Sequence, residues 1–133
     1  MTERIEVMVS IVQGPLPDQP SPWSPAPGAG ALLCFDGIAR PTEDGKPLVA
    51  LDYEAYEPMA SRMLRRLAEQ AIDEHGVIGV FVEHSHGLVE VGQCSFRLRI
   101  ASFHRKEGLA AMDAFIDALK KDVPIWKRPV FRE

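Results

Sequence analysis

Apolar residues in this chain recur with two different periods, and the order of those periods limits the fold more than any other feature. Cys94, Phe96, Leu98 and Ile100 alternate with Ser95, Arg97 and Arg99, the period of a half-buried strand. Ile5, Val7, Val9 and Ile11 alternate with Glu6, Met8 and Ser10, which predicts a strand over 4–12. Val49, Leu51, Tyr53 and Ala55 alternate with Ala50, Asp52 and Glu54 and predict another. The run 31–35 is short and wholly apolar and reads as a buried strand; 77–83, with β-branched and aromatic residues, reads as a strand, and 87–92 as a short segment between two turns.

Only two stretches run at helical spacing. Met63, Leu64, Leu67, Ala68, Ala71 and Ile72 form one stripe, with Pro58 suited to the first turn and Gly76 to the stop. The second helix is predicted over 105–122, with Leu109, Met112, Phe115, Ile116 and Leu119 facing inward and Pro124 ending it. The order β-β-β-α-β-β-α, with short connections, predicts an α+β fold with a mostly antiparallel sheet and two main helices. Between the first two strands lie Pro15, Pro17, Pro20, Pro22, Pro25 and Pro27, so 14–29 is expected to be an extended surface loop. A single strand precedes it, so it is no domain boundary, and 1–133 reads as a single domain.

Charge narrows the partners. Residues 1–96 carry 6 Lys/Arg against 14 Asp/Glu, a balance of −8, and residues 97–133 carry 9 against 5, a balance of +4. An acidic body with a compact basic end suits a small anionic ligand better than nucleic acid. The opening residues carry no signal-peptide pattern, and no run approaches the ~20 apolar residues of a membrane span. Two cysteines, Cys34 and Cys94, are too few for a disulfide framework, and both are expected to serve as packing residues in strands. The expectation is a cytoplasmic protein with no membrane partner.

Four features carry possible chemistry. Ser102-Phe-His104-Arg105 stands where a strand gives way to a helix N-terminus, a place that attracts anions; it also reads as a Ser102 cap with a surface His and Arg. Lys120 and Lys127 flank Val123-Pro-Ile-Trp126. If the chain reverses at Pro124, the two amines converge beside an apolar wall from Trp126 and serve as base or nucleophile; otherwise both extend to solvent at a helix C-terminus. Arg40 follows a strand and offers a forked donor for phosphate. His84 and His86 lie two apart, but no third ligand has metal spacing, and no metal is expected. No phosphate loop, dinucleotide fingerprint or nucleophile elbow is present, and no resident cofactor is expected.

At these positions the chain resembles the large, catalytic subunit family of molybdopterin synthases. The matching stretches are 30–40 (GALLCFDGIAR), 51–59 (LDYEAYEPM), 84–92 (HSHGLVEVG), 102–105 (SFHR) and 119–127 (LKKDVPIWK), in order across most of the chain. The resemblance implies the family's α/β hammerhead fold and a homodimer in which each protomer takes one small ubiquitin-like sulfur-carrier subunit, giving a heterotetramer. It implies sulfur transfer from that partner's C-terminal Gly-Gly thiocarboxylate to cyclic pyranopterin monophosphate, forming the dithiolene of molybdopterin. It places the catalytic lysines on Lys120 and Lys127 and substrate contacts on Arg40, His104 and Arg105, with Ile38, Ala39, Arg128 and Pro129 bordering the pocket. It also implies that His104 and Arg105 reach the site of the neighbouring protomer. Pro41 and Pro129 stand where the family has other residues. A rival reading is a non-catalytic module that binds a ubiquitin-like tail or an anionic metabolite.

Overall fold

The computed structural model describes residues 7–20, 22–23 and 27–133. Residues 4–6 of the first expected strand, and Pro25 of the proline-rich loop, lie outside the described residues. The elements run β1 (Val7–Gln13), β2 (Ala31–Ile38), β3 (Thr42–Glu43), β4 (Lys46–Ala55), α1 (Met59–His75), β5 (Gly79–Glu90), β6 (Cys94–Ser102), α2 (Arg105–Asp122) and β7 (Ile125–Phe131). The fold is α+β, with a seven-stranded sheet in the path β2-β6-β5-β4-β3; β1 joins β5, and β7 joins β4. All pairings are antiparallel except β1 with β5.

Two helices cover one face of the sheet. Leu64, Leu67, Ala68 and Ala71 of α1 meet Ala111, Met112, Phe115 and Leu119 of α2 over Val80, Val82, Leu98 and Ile100. Burial of these apolar groups is the main force closing the layer. Gly76 caps α1 in the left-handed conformation, its N–H bonded to Ile72. Leu109, expected to face inward, is half exposed; the buried stripe of α2 begins one residue earlier, at Gly108. A smaller core of Ala39, Leu48, Leu51 and Val89 lies under β4.

β5 is longer than its sequence suggests. The expected break at Gly87 is instead a change of partner: residues before it pair with β1 and β6, and Gly87 to Glu90 pair with β4. Gly87 has φ +92, a conformation strained for any residue with a Cβ, so glycine is favoured there. β7 was not anticipated. After Pro124 the chain turns back and β7 pairs along β4, with Tyr53 opposite Lys127 and Ala55 opposite Ile125. The 40–45 loop contains the two-residue β3, which hairpins onto β4.

Two further expectations need correction. Among the described residues β2 is a sheet-edge strand paired only with β6, and Leu32, Cys34 and Phe35 are exposed; Cys34 is therefore no packing residue, although Cys94 is buried. The proline-rich segment is extended but not wholly superficial. Leu16 is buried and bridged to Cys94, and Trp23 packs edge-on against Phe81 at 6.0 Å. No helix among the described residues is long and apolar enough to cross a membrane.

Candidate active site

The last turn of α2 and the first residues of β7 form one side of a cleft of about 670 Å³. Lys120 stands at the end of α2, beyond Ile116 and Leu119 on the helix's inward side, and all three border the cleft. Lys120 itself is exposed. Pro124 cannot extend the helix, so the chain reverses and β7 delivers Ile125 and Lys127 to the same cleft. Strand alternation then sets which side chains share it. Ile125 and Lys127 face the cleft with Leu51 and Tyr53 of β4, whereas Trp126 is exposed and does not border it. The apolar wall comes from Ile116, Leu119, Ile125 and Leu48, with Phe35 and Phe96 opposite, and not from Trp126.

Three cations and two carboxylates rim the space. Lys120, Lys127 and Arg40 supply positive charge; Asp36 and Glu43 supply negative charge. Both carboxylates are already engaged. Glu43 of β3 holds the Lys127 amine at 3.0 Å. Asp36 accepts from the buried Arg97, at 2.7 Å from Nε and 3.3 Å from the terminal nitrogen, which holds its carboxyl below the usual carboxylate range. Among the described residues, Lys120 and Arg40 have no ion-pair partner. An anion entering the cleft meets these two charges without first breaking a bond.

The other residues singled out by sequence are placed unevenly. Ile38 borders the cleft, while Ala39 is buried beside it in the smaller core. Arg128 projects from the opposite face of β7 and pairs with Asp52 at 3.0 Å, and Pro129 lies further along β7 opposite Leu51; neither is a cleft residue. His104 and Arg105 stand at the far end of α2, in a shallow open depression with Gly30, Phe103 and Lys106. His104, not Ser102, is the N-cap: its side chain and Glu107 form a reciprocal capping box. The Ser102 hydroxyl instead donates to the His104 carbonyl at 2.6 Å. Arg105 and Lys120 are fifteen residues apart on one helix, about 22 Å at ~1.5 Å per residue, so one chain cannot bring both to one small ligand.

Comparison with known proteins decides the family. The family model described as "MoaE protein" matches residues 17–122.

The chain belongs to the MoaE protein family.

Its relatives in this family include the molybdopterin synthase catalytic subunit of Arabidopsis thaliana, 42% identical over 106 residues, covering 80% of this chain and 54% of the relative. The human protein of the same name is 37% identical over 108 residues, covering 81% and 57%, and that of Thermoplasma volcanium is 36% identical over 104 residues, covering 78% and 76%. The chain thus spans a little over half the length of the plant and human relatives. The crystal structure of molybdopterin synthase from Staphylococcus aureus shares the fold, with a TM-score of 0.77 at 24% identity over 100% of this chain and 95% of that one. A complex of subunits 1 and 2 of molybdopterin-converting factor from Helicobacter pylori gives a TM-score of 0.71 at 25% identity over 94% and 90%.

In this MoaE chain the cleft also holds Tyr53 and Ser95, which sequence reasoning left out, and His84, which it weighed only as a metal ligand. Tyr53, His84 and Ser95 form its polar floor. The Tyr53 hydroxyl lies 3.1 Å from the Ser95 hydroxyl, which donates to the Gly37 carbonyl at 3.5 Å. His84 is 6% exposed, while His86 is exposed, so the two do not share one environment. Among the described residues no group of acidic, His or Cys side chains could hold a metal. The sequence signal for Tyr53 was its place in an alternating strand; the signal for His84 was a polar residue in phase with Val80 and Val82.

Proposed function

We propose that this chain is the catalytic subunit of a molybdopterin synthase, a cytoplasmic sulfurtransferase built from a single domain over 1–133. It takes sulfur from the C-terminal Gly-Gly thiocarboxylate of a small ubiquitin-like subunit and places it on cyclic pyranopterin monophosphate. Two such transfers complete the dithiolene of molybdopterin. The observation that carries this reading is the convergence of Lys120 and Lys127, from either side of Pro124, on one cleft with Arg40.

The chemistry fits that arrangement. The substrate's cyclic phosphate and the partner's tail are both anionic, and Arg40 and Lys120 offer uncommitted charge for them. Lys120 is the principal amine, placed for proton transfer or transient acyl capture at the thiocarboxylate carbon. Lys127 supports it and stabilises charge that develops during transfer, once its bond to Glu43 is released. Leu119, Ile116 and Ile125 give the cleft apolar walls that strengthen these charge interactions.

His104 and Arg105 complete the substrate site from a second copy of the chain. Both are exposed and too far along α2 to serve their own cleft. A homodimer carrying one small subunit on each protomer, a heterotetramer, satisfies this geometry. Ile38, Ala39, Arg128 and Pro129 belong to the border of the assembled site, Arg128 by leaving Asp52 when the partner's tail docks.

The test is reconstitution with the pterin precursor and the small subunit in two forms, thiocarboxylate and plain carboxylate. Dithiolene product is expected with the thiocarboxylate alone. Tight binding of both forms without product would make the chain a binding module and end the enzyme assignment.

A further inference from the structure

The floor of the Lys120–Lys127 cleft contains a base that neither lysine chemistry nor anion binding requires. His84 lies on β5 and is almost fully buried, yet it is among the residues that line the cleft. The Tyr53 ring stands edge-on to it at 5.1 Å, and Phe96, its cross-strand partner, lies at 5.8 Å. These contacts hold the imidazole in one orientation.

Its hydrogen bonding defines which nitrogen is available. Nδ1 lies 2.8 Å from the Ser85 carbonyl. A carbonyl can only accept, so Nδ1 carries the hydrogen and donates. In the neutral ring Nε2 then keeps its lone pair and is the nitrogen left for a ligand. Burial favours that neutral form and pushes the imidazole below its ordinary pKa, opposed by the weaker effect of the bond to Ser85. The charged and titratable groups around the cleft are Lys120 of α2, Lys127 of β7, Arg40, Asp36 of β2, Glu43 of β3 and Tyr53 of β4. Among the described residues no carboxylate bonds the His84 ring: Asp36 is held by Arg97 and Glu43 by Lys127. Tyr53 is occupied with Ser95. His84 is therefore the uncommitted neutral base of the cleft.

We propose that His84 is a proton-accepting catalytic residue, taking through Nε2 a proton from the water that releases the spent sulfur carrier. The inference rests on the sulfur-transfer reading above. When thiocarboxylate sulfur forms a bond to the substrate carbon, a C–O bond of that carbon breaks, the oxygen leaves with its electron pair, and the carrier's acyl group remains on the sulfur as a thioester. Release needs an oxygen nucleophile. Water attacks the acyl carbon, its O–H bond breaks, and the proton passes to Nε2. A C–O bond forms, the C–S bond breaks, and its electron pair leaves on sulfur. The carrier tail departs as a carboxylic acid that ionises to solvent, and the imidazolium returns its proton to water. Atoms and charge balance, with no oxidant or reductant.

The test compares wild type with His84→Asn in single turnover against the thiocarboxylated small subunit and the cyclic pterin monophosphate. Asparagine keeps a donor for the Ser85 carbonyl and removes the Nε2 lone pair. The expected result is a rate lower by about 100-fold or more, with pterin affinity and thermal unfolding little changed. The wild-type rate falls on the acid side, below the ordinary histidine range, and this limb is absent in the variant. Imidazole ¹⁵N spectra of the wild type at neutral pH show His84 as the neutral Nδ1–H tautomer. A variant rate within about threefold of wild type, an unchanged acid limb, or an Nε2–H tautomer overturns the inference while leaving sulfur transfer intact. Wild type that makes no dithiolene sinks the functional reading itself, and this inference with it. If His84→Asn does not fold, the wild-type pH limb and ¹⁵N tautomer decide.

Discussion

The two ends of α2 carry the same kind of charge in opposite settings. At the C-terminal end Lys120 opens onto a walled cleft that this chain completes from β2, β4, β5, β6 and β7. At the N-terminal end His104 and Arg105 project from a shallow depression, held locally by the capping box with Glu107 and the Ser102 bond to the His104 carbonyl. A cation beside apolar walls and a buried base can act on a bound molecule; a cation on an open helix end can only attract one. On the proposed reading, the difference teaches that the cleft end of α2 supplies the reacting groups, and the exposed N-terminal end supplies charge to a neighbour's cleft.

That comparison breaks most visibly in mixed dimers. The double substitution His104→Ala with Arg105→Ala is expected to lower turnover by about 100-fold, the scale of losing preorganised donors to a developing charge. Mixing that protein with Lys120→Ala, each inactive alone, should restore roughly a quarter of wild-type turnover by random assortment into twofold dimers. If the double variant keeps full activity, the two ends work independently. If the mixture stays inactive, the helix N-terminus does not serve a neighbour's cleft.

Asp36 sharpens the contrast from the side of stability, because the cleft is braced and the helix end is not. Arg97 is 1% exposed and depends on Asp36 for its charge partner. Asp36→Asn should cost roughly 2 kcal/mol, below the usual toll for a fully buried pair because Asp36 itself meets solvent. The carboxyl is depressed in the folded state, so its contribution is present above the ordinary carboxylate range and lost as pH falls below it. Urea melts of wild type and variant should therefore differ at neutral pH and converge in acid; a constant gap would contradict the assignment.

Glu43→Gln should have the smallest effect. Its ion pair with Lys127 is partly open to water, with the lysine 47% exposed, so the change in unfolding free energy should stay under about 1 kcal/mol. A larger loss in denaturant melts would mean that the cleft depends on this pair for its shape.

Much of this was legible from residue order, and the illegible parts have physical reasons. The helix over 105–122 follows from period and proline alone, whereas the meeting of two lysines around Pro124 is one of two readings that residue order leaves open. β7 does not follow from period, because Lys127, Arg128 and Pro129 interrupt any apolar alternation, and proline is tolerated there on a strand that, among the described residues, pairs only with β4. The parallel β1–β5 pairing and the passage of β5 through Gly87 depend on contacts distant in sequence. Trp126 was assigned to the cleft through its nearness to the lysines, although strand alternation sends it to the other face. His84 stands out in the sequence only as half of a pair with His86, and that spacing carries no sign of whether its ring will meet a ligand.

The central claim is that the Lys120 amine acts on a substrate bound in the cleft, and single-turnover transfer of sulfur from the thiocarboxylated small subunit tests it most directly. Lys120 is exposed, so Lys120→Ala should unfold at the wild-type temperature and still bind the small subunit. Its dithiolene formation should fall by at least about 100-fold. Dithiolene formation at the wild-type rate by the folded variant would contradict the account.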